Sequence, residues 1–208
     1  MHDVIPGILE KNWVEIEKKI ELIKPFSRTV HIDVIDGKFS SEISFLETEP
    51  FKKYKDDFFM EVHLMVEKPE DYLKIYAQAG FKRFLGHVEK MQNIEEFIAL
   101  GQVLGEVGIA VDSTTQLESL NIPFDDIDTV LLMSVKAGKS GQEFLPEVID
   151  RIKQIKIKTQ VPIEIDGGIN EQTIIEARKV GAQRFVATSF IFNSKDPMQS
   201  FEKLTSFS

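Results

Sequence analysis

Residues 29–37 read TVHIDVIDG. A β-branched, apolar run ends here in a turn, and just before that end it carries His31 and Asp33. Alternate residues of a strand point the same way, so this imidazole and this carboxylate share one face. The pattern recurs along the chain. FFMEVHLMV (58–66) carries His63, FKRFLGHVE (81–89) carries His87, and VPIEIDGGI (161–169) carries Asp166. Three of the four histidines therefore stand where an apolar run is about to end.

Outward from these runs, short β-branched or aromatic stretches alternate with helical spacing from one end to the other. The predicted strands are Val4–Pro6, Thr29–Val34, Phe58–Leu64, Arg83–His87, Val107–Val111, Thr129–Ser134, Pro162–Asp166 and Arg184–Ala187. Between them lie helical patterns such as Trp13, Ile16, Ile20 and Ile23, or Val148, Ile152 and Ile155. Pro69 and Pro197 suit first helical turns, the latter behind Asp196 as N-cap. Asn93 and Asn170 suit N-caps, and Gly80 and Gly181 suit helix ends. Eight βα units in 208 residues predict a compact (β/α)8 TIM barrel, a single domain over residues 1–208. A doubly wound sheet is the rival, but its glycine-rich fingerprint is missing from VIPGILEKNW after the first run. In a barrel all strand ends face one mouth, which places His31, Asp33, His63, His87, Asp112, Ser134, Asp166 and Ser189 near it.

Composition narrows the function. The chain is 42% hydrophobic and 28% charged with no linker-like stretch or repeat, and it has no cysteine, which excludes disulfides and thiolate metal sites. Its net charge of −9 argues against a nucleic-acid partner. No run approaches the ~20 apolar residues of a membrane span, and MHDVIPGILEKNW lacks a signal-peptide pattern. No membrane partner is expected, and the expected compartment is the cytoplasm.

A lone strand-end histidine is usually a hydrogen-bonded structural residue, and a lone strand-end aspartate usually caps the next helix. His31, Asp33, His63 and Asp166 together are more specific than any one of them. Such a nitrogen and oxygen set suits one divalent ion, Zn²⁺, Fe²⁺ or Mn²⁺, whereas all-oxygen sites suit Mg²⁺ or Ca²⁺.

The motifs HIDVIDGKF, VHLMVEKPEDY, GHVE, VLLMSVKAGKSGQEF and IEIDGGIN occur in the order and spacing of the ribulose-phosphate 3-epimerase family, which the chain resembles over essentially its whole length. The resemblance implies a metal-dependent (β/α)8 isomerase that inverts C3 of a small phosphorylated ketose. His31, Asp33, His63 and Asp166 match the family's metal ligands, and His63 also approaches substrate. Removing a proton on one face and returning one on the other calls for two acid/base groups. Asp33 and Asp166, from opposite sides of the barrel, match that pair, with the metal stabilising the cis-enediolate. The matching substrate- and phosphate-binding positions are Gly138, Lys139, Ser140 and Gly141, then Gly167 and Gly168, then Thr188 and Ser189. The resemblance also implies a homo-oligomer. His87 and Glu89 match a family His-x-Glu and take a supporting role, Met65 and Met133 line the mouth, and Asp36 belongs to the DGKF turn.

The loops depart from the family. Its usual Pro-Ser-Ile-Leu is Pro6-Gly7-Ile8-Leu9, which removes a hydroxyl. Its Val-Pro-Asn is Ser40-Ser41-Glu42, and its Asn-Pro-x-Thr-Pro is Asp112-Ser113-Thr114-Thr115-Gln116. The lid Pro-Gly-Phe-Gly-Gly-Gln is Ala137-Gly138-Lys139-Ser140-Gly141-Gln142, and Gly-Ser is Thr188-Ser189. Lys136 and Lys139 put cations where an apolar cover is usual. An intact metal set within altered loops leaves two alternatives to a pentulose phosphate epimerase: one acting on a hexulose phosphate, or a catalytically weak barrel that binds metal and sugar phosphate. An aldolase would want an inward strand-end lysine, and none of the strand runs supplies an obvious one; related decarboxylases favour an Asp-x-Lys pattern where this chain has His31-Ile32-Asp33.

Overall fold

The computed structural model describes residues 3–207. Eight parallel strands close into a barrel in chain order: β1 (Asp3–Ile8), β2 (Thr29–Ile35), β3 (Phe59–Met65), β4 (Phe81–His87), β5 (Glu106–Val111), β6 (Thr129–Met133), β7 (Ile163–Asp166) and β8 (Arg184–Ala187). β8 closes on β1, with Asp3 beside Arg184 and Pro6 beside Ala187. The expected (β/α)8 barrel is the fold observed.

The outer layer comprises α1 (Trp13–Ile23), α2 (Leu73–Gln78), α3 (Ile94–Leu104), α4 (Val148–Lys158), α5 (Glu171–Lys179), α6 (Ser189–Phe192) and α7 (Pro197–Phe207). Three side-chain caps are those the sequence signals, and a fourth, Asn12 accepting from Glu15 at the start of α1, is not. Asn93 accepts from Glu95 and Glu96, Asn170 forms a reciprocal capping box with Thr173, and Asp196 accepts from Gln199. Two connections depart from the expected alternation, because no α-helix forms in them. A 3-10 turn at Glu49–Tyr54 joins β2 to β3, and two more at Leu117–Ser119 and Phe124–Asp126 join β5 to β6. In the first, aromatic side chains cover the barrel instead. Phe51 and Tyr54 are buried, and Phe51 meets Trp13 edge-on at 5.1 Å.

Strand alternation separates two interiors. Outward residues such as Val30, Ile32, Val62 and Ile165 pack with Ile16, Ile20, Ile152 and Ile174 of the helices. Inside the barrel, Leu85, Ala110, Leu131 and Met133 form an apolar wall on β4–β6. The rest of the interior is polar: His31, Asp33, Glu61, His63, Arg83, Glu164 and Asp166 are all buried. Desolvating a carboxylate costs several kcal/mol even after relaxation, against roughly 1.5–3 kcal/mol gained by a buried Leu or Ile. A barrel interior selected for stability alone would hold hydrocarbon there.

Candidate active site

β2 carries His31 and Asp33 to the mouth of the barrel, β3 carries His63, and β7 carries Asp166. One ligand atom from each of these four residues lies within 4.8 Å of the others. β2 and β7 stand three strands apart around the ring of eight, so the two carboxylates approach from nearly opposite sides, as expected. Asp33 Oδ1 is 3.2 Å from His31 Nε2 and 2.9 Å from His63 Nδ1, and Asp166 Oδ2 is 3.3 Å from that same His63 nitrogen.

Hydrogen bonding behind the two imidazoles fixes which nitrogen faces the site. His31 Nδ1 lies 2.7 Å from Glu61 Oε1. An ionised carboxylate only accepts, so Nδ1 donates and Nε2 is turned to Asp33. His63 is held one residue more remotely. Its Nε2 is 2.9 Å from His87 Nε2, and His87 Nδ1 is 3.0 Å from Glu89 Oε2. Glu89 accepts from His87 Nδ1, which leaves His87 Nε2 as acceptor and His63 Nε2 as donor. His63 Nδ1 is thus left for the site.

The electrostatics agree with a place for a cation. Four carboxyl groups are buried here, Asp33, Glu61, Glu164 and Asp166, with Arg83 the one buried guanidinium among the described residues. Burial disfavours the charge on His31, but Asp33 beside it, then Glu164 and Glu61, hold its pKa well above the ordinary value. His63 is likewise raised, Asp166 and Asp33 overcoming burial. Asp33 shows the reciprocal effect: burial opposes its ionisation, yet His31 and His63 hold it far below the usual carboxylate range. His87 moves the other way. Burial lowers it, Glu89 only partly offsets this, and it stays a neutral link. Two imidazole nitrogens and two carboxylates converging on one point fit a borderline divalent ion.

The chain matches the model of the Ribulose-phosphate 3 epimerase family over residues 3–192. It belongs to the ribulose-phosphate 3-epimerase family. It is 31% identical to the ribulose-phosphate 3-epimerase of Bacillus subtilis, covering 98% of each chain. It is 34% identical to that of Aquifex aeolicus, over 97% of this chain and 94% of that protein. Among solved structures, the 3-hexulose-6-phosphate synthase of Salmonella typhimurium superposes with a TM-score of 0.71 at 14% identity, over 100% of this chain and 98% of that one. At that identity the similarity concerns the fold. Family membership makes the protein an isomerase of the kind that acts on carbohydrate phosphates.

The loop positions expected from the ribulose-phosphate 3-epimerase family meet at one cavity. Asp33, Asp166, Gly138, Lys139, Ser140, Gly141, Gly167, Gly168, Thr188 and Ser189 line it, with Met65 and Met133. Lys136 is not among its lining residues; it faces a neighbouring surface cavity with Phe39 and Asp112. Lys139 is exposed and stands 3.7 Å from Glu42 on the loop after β2. Two of the sequence departures prove to be one. A Cβ on Gly7 would lie 2.6 Å from Thr188 Oγ1, so the hydroxyl missing from β1 and the one present after β8 compete for the same space. Ser134 anchors rather than binds: its hydroxyl donates to the carbonyls of Asp166 at 2.9 Å and Gly167 at 2.6 Å. Asp36 accepts from Lys38, Phe39 and Glu67 backbone amides, which makes it a turn residue as expected. Asp112 does the same for Thr114.

Sequence reasoning passed over Glu61, Glu164 and Arg83. Glu61 binds His31 and is held on its other oxygen by Arg83 Nη1. Glu164 Oε1 lies 3.5 Å from His31 Nδ1, and burial next to the charged Glu61 pushes its carboxyl upward. Their signal was the one used for His31 and Asp33. Glu61 precedes His63, and Glu164 precedes Asp166, by two residues on the same strand.

Proposed function

We propose that the protein is a metal-dependent ketose-phosphate 3-epimerase acting on a pentulose 5-phosphate of the ribulose 5-phosphate class. The observation that carries this reading is the convergence of Asp33 and Asp166 on one point from strands on nearly opposite sides, inside a buried His-Asp-His-Asp cluster. His31, Asp33, His63 and Asp166 would hold one divalent ion, Zn²⁺, Fe²⁺ or Mn²⁺. When bound, it supplies the positive charge that lets the carbon beside a ketone lose its proton near neutral pH.

The chain's own groups do the rest. Asp33, kept ionised by His31 and His63, takes or returns the C3 proton on one face. Asp166 serves the other face, which gives inversion rather than exchange with retention. Gly167, Gly168, Thr188 and Ser189 hold the phosphate with backbone amides and hydroxyls, so no dedicated arginine is required. Met65, Met133 and Val135 exclude water from the carbanionic carbon. The intact donor set and the family membership favour this enzyme over a sugar-phosphate-binding module. Among the described residues no helix is long and apolar enough to cross a membrane.

Asp166→Asn tests the acid/base assignment. With the fold unchanged, C3 epimerisation is expected to be abolished, any remaining solvent-proton exchange occurring with retention through Asp33, and full epimerisation in that variant would rule Asp166 out.

A further inference from the structure

We propose that Glu61, clamped by Arg83, is the positioning residue that sets His31 as a cation ligand. The inference rests on the metal reading above and adds a residue pair inside the barrel that does not itself reach the site.

Three neighbouring strands build the device. In the β2–β3 register His31 stands beside Glu61, and in the β3–β4 register Glu61 stands beside Arg83. Glu61 is fully buried and spends one oxygen on His31 Nδ1 at 2.7 Å. Its second oxygen accepts from Arg83 Nη1, while Arg83 Nε donates to Glu106 at 2.8 Å. A carboxylate fixed at both oxygens cannot rotate away, and it presents His31 with a single acceptor in a single place. Glu164, at 3.5 Å from the same nitrogen, is at the limit of a hydrogen bond and does not duplicate that role.

The consequence is on the far side of the ring. With the Nδ1 proton held by Glu61, Nε2 is the nitrogen directed at Asp33 and at the point where His63 and Asp166 converge, and it offers its lone pair there once its own proton leaves. Without Glu61 the ring has no fixed orientation: a flipped ring, or the opposite tautomer, would present a proton to that point instead of a lone pair. The negative charge of Glu61 also makes the imidazole a stronger donor. Burial opposes that charge, and His31 on one oxygen and Arg83 on the other offset it. The Arg83 clamp supplies the compensation a buried, functionally placed carboxylate needs.

The test uses the full chain with Zn²⁺ or Mn²⁺ alone, read by chelator competition, together with the ring proton of His31 by NMR. In the wild type the His31 Nδ1 proton is expected as a slowly exchanging downfield resonance. Glu61→Leu is expected to lose that resonance and to bind either ion roughly 10–100-fold more weakly. Glu61→Gln keeps an acceptor oxygen but not the charge. It is expected to retain the resonance and to bind about tenfold more weakly; this variant carries the test if the leucine variant does not fold. A folded Glu61 variant that binds metal as tightly as the wild type overturns the proposal alone. A wild-type chain that binds neither ion overturns the metal reading with it.

Discussion

Alanine at Gly168 puts a methyl group where the barrel mouth has no room for one. The new Cβ would lie 2.7 Å from both the N and the Cα of Phe144, and backbone atoms cannot rotate aside as the tip of a side chain can. The φ of Gly168 is +61°, a left-handed conformation that disfavours any L-residue by about 1–2 kcal/mol. Forcing the lid segment at Phe144 to move adds about 1–3 kcal/mol of overpacking. The expected destabilisation is therefore roughly 2–5 kcal/mol. At about 2–4 °C per kcal/mol for a chain of this size, thermal unfolding should fall by roughly 4–20 °C. The site should suffer with the fold. Gly168 lies two residues beyond Asp166, and its carbonyl accepts from Thr173 Oγ1 at 3.0 Å. Any shift thus moves the Asp166 carboxylate, the proposed acid/base group, relative to the start of α5. Differential scanning calorimetry of the metal-free protein, paired with KM for a pentulose 5-phosphate, measures both effects. A variant with Tm within about 1 °C of the wild type and an unchanged KM would refute the steric reasoning.

Metal affinity should depend on pH with a defined sign. Burial alone would lower His31, but Asp33, Glu164 and Glu61 raise it above 6.5 in the metal-free fold. The stability that this proton contributes is fully present below about 6.5 and is lost as pH rises through the folded value. A bound ion must displace that proton and the one His63 holds in the same way, so affinity for Zn²⁺ or Mn²⁺ should climb by up to about a hundredfold per pH unit below both folded values and level off above them. An affinity flat between pH 6 and 9, in chelator-buffered titrations, would contradict the assignment of His31 as a ligand. Replacing Lys136 and Lys139 together with alanine should raise KM for phosphorylated ketoses more than for unphosphorylated analogues. Lys139 is exposed and already faces Glu42, so an effect of about 2–5-fold is expected, in line with the ~0.2–1 kcal/mol of exposed ion pairs. Equal effects on both substrate types would remove phosphate from the role of these lysines.

Much of this was legible in TVHIDVIDG and its counterparts. Parallel barrel strands are buried on both faces and read as almost continuous apolar runs, so a histidine or aspartate within one stands out. The same rule should have drawn attention to Glu61 in FMEVHLM and Glu164 in IEID. A glutamate two residues before a His or Asp on a barrel strand shares its inward face and carries the same signal. The contact between Gly7 and Thr188 could not be read at all, because it joins strands that are neighbours only after the barrel closes. Nor could the two connections without an α-helix be foreseen. Phe51 and Tyr54 satisfy the burial requirement there without helical spacing. The place of His87 as the link from His63 to Glu89 needed the distances.

Deuterium wash-in from D2O decides most directly whether this barrel epimerises a ketose phosphate. The chain, loaded in turn with Fe²⁺, Zn²⁺ and Mn²⁺, would be given pentulose 5-phosphates and hexulose 6-phosphates one at a time. Metal-dependent incorporation at C3 of a pentulose 5-phosphate, with the C3 epimer appearing alongside, is the predicted result. Incorporation at C3 of a hexulose phosphate alone would move the specificity to the longer sugar. No incorporation at C3 of any substrate, with metal demonstrably bound, would contradict the proposal that Asp33 and Asp166 exchange protons across that carbon.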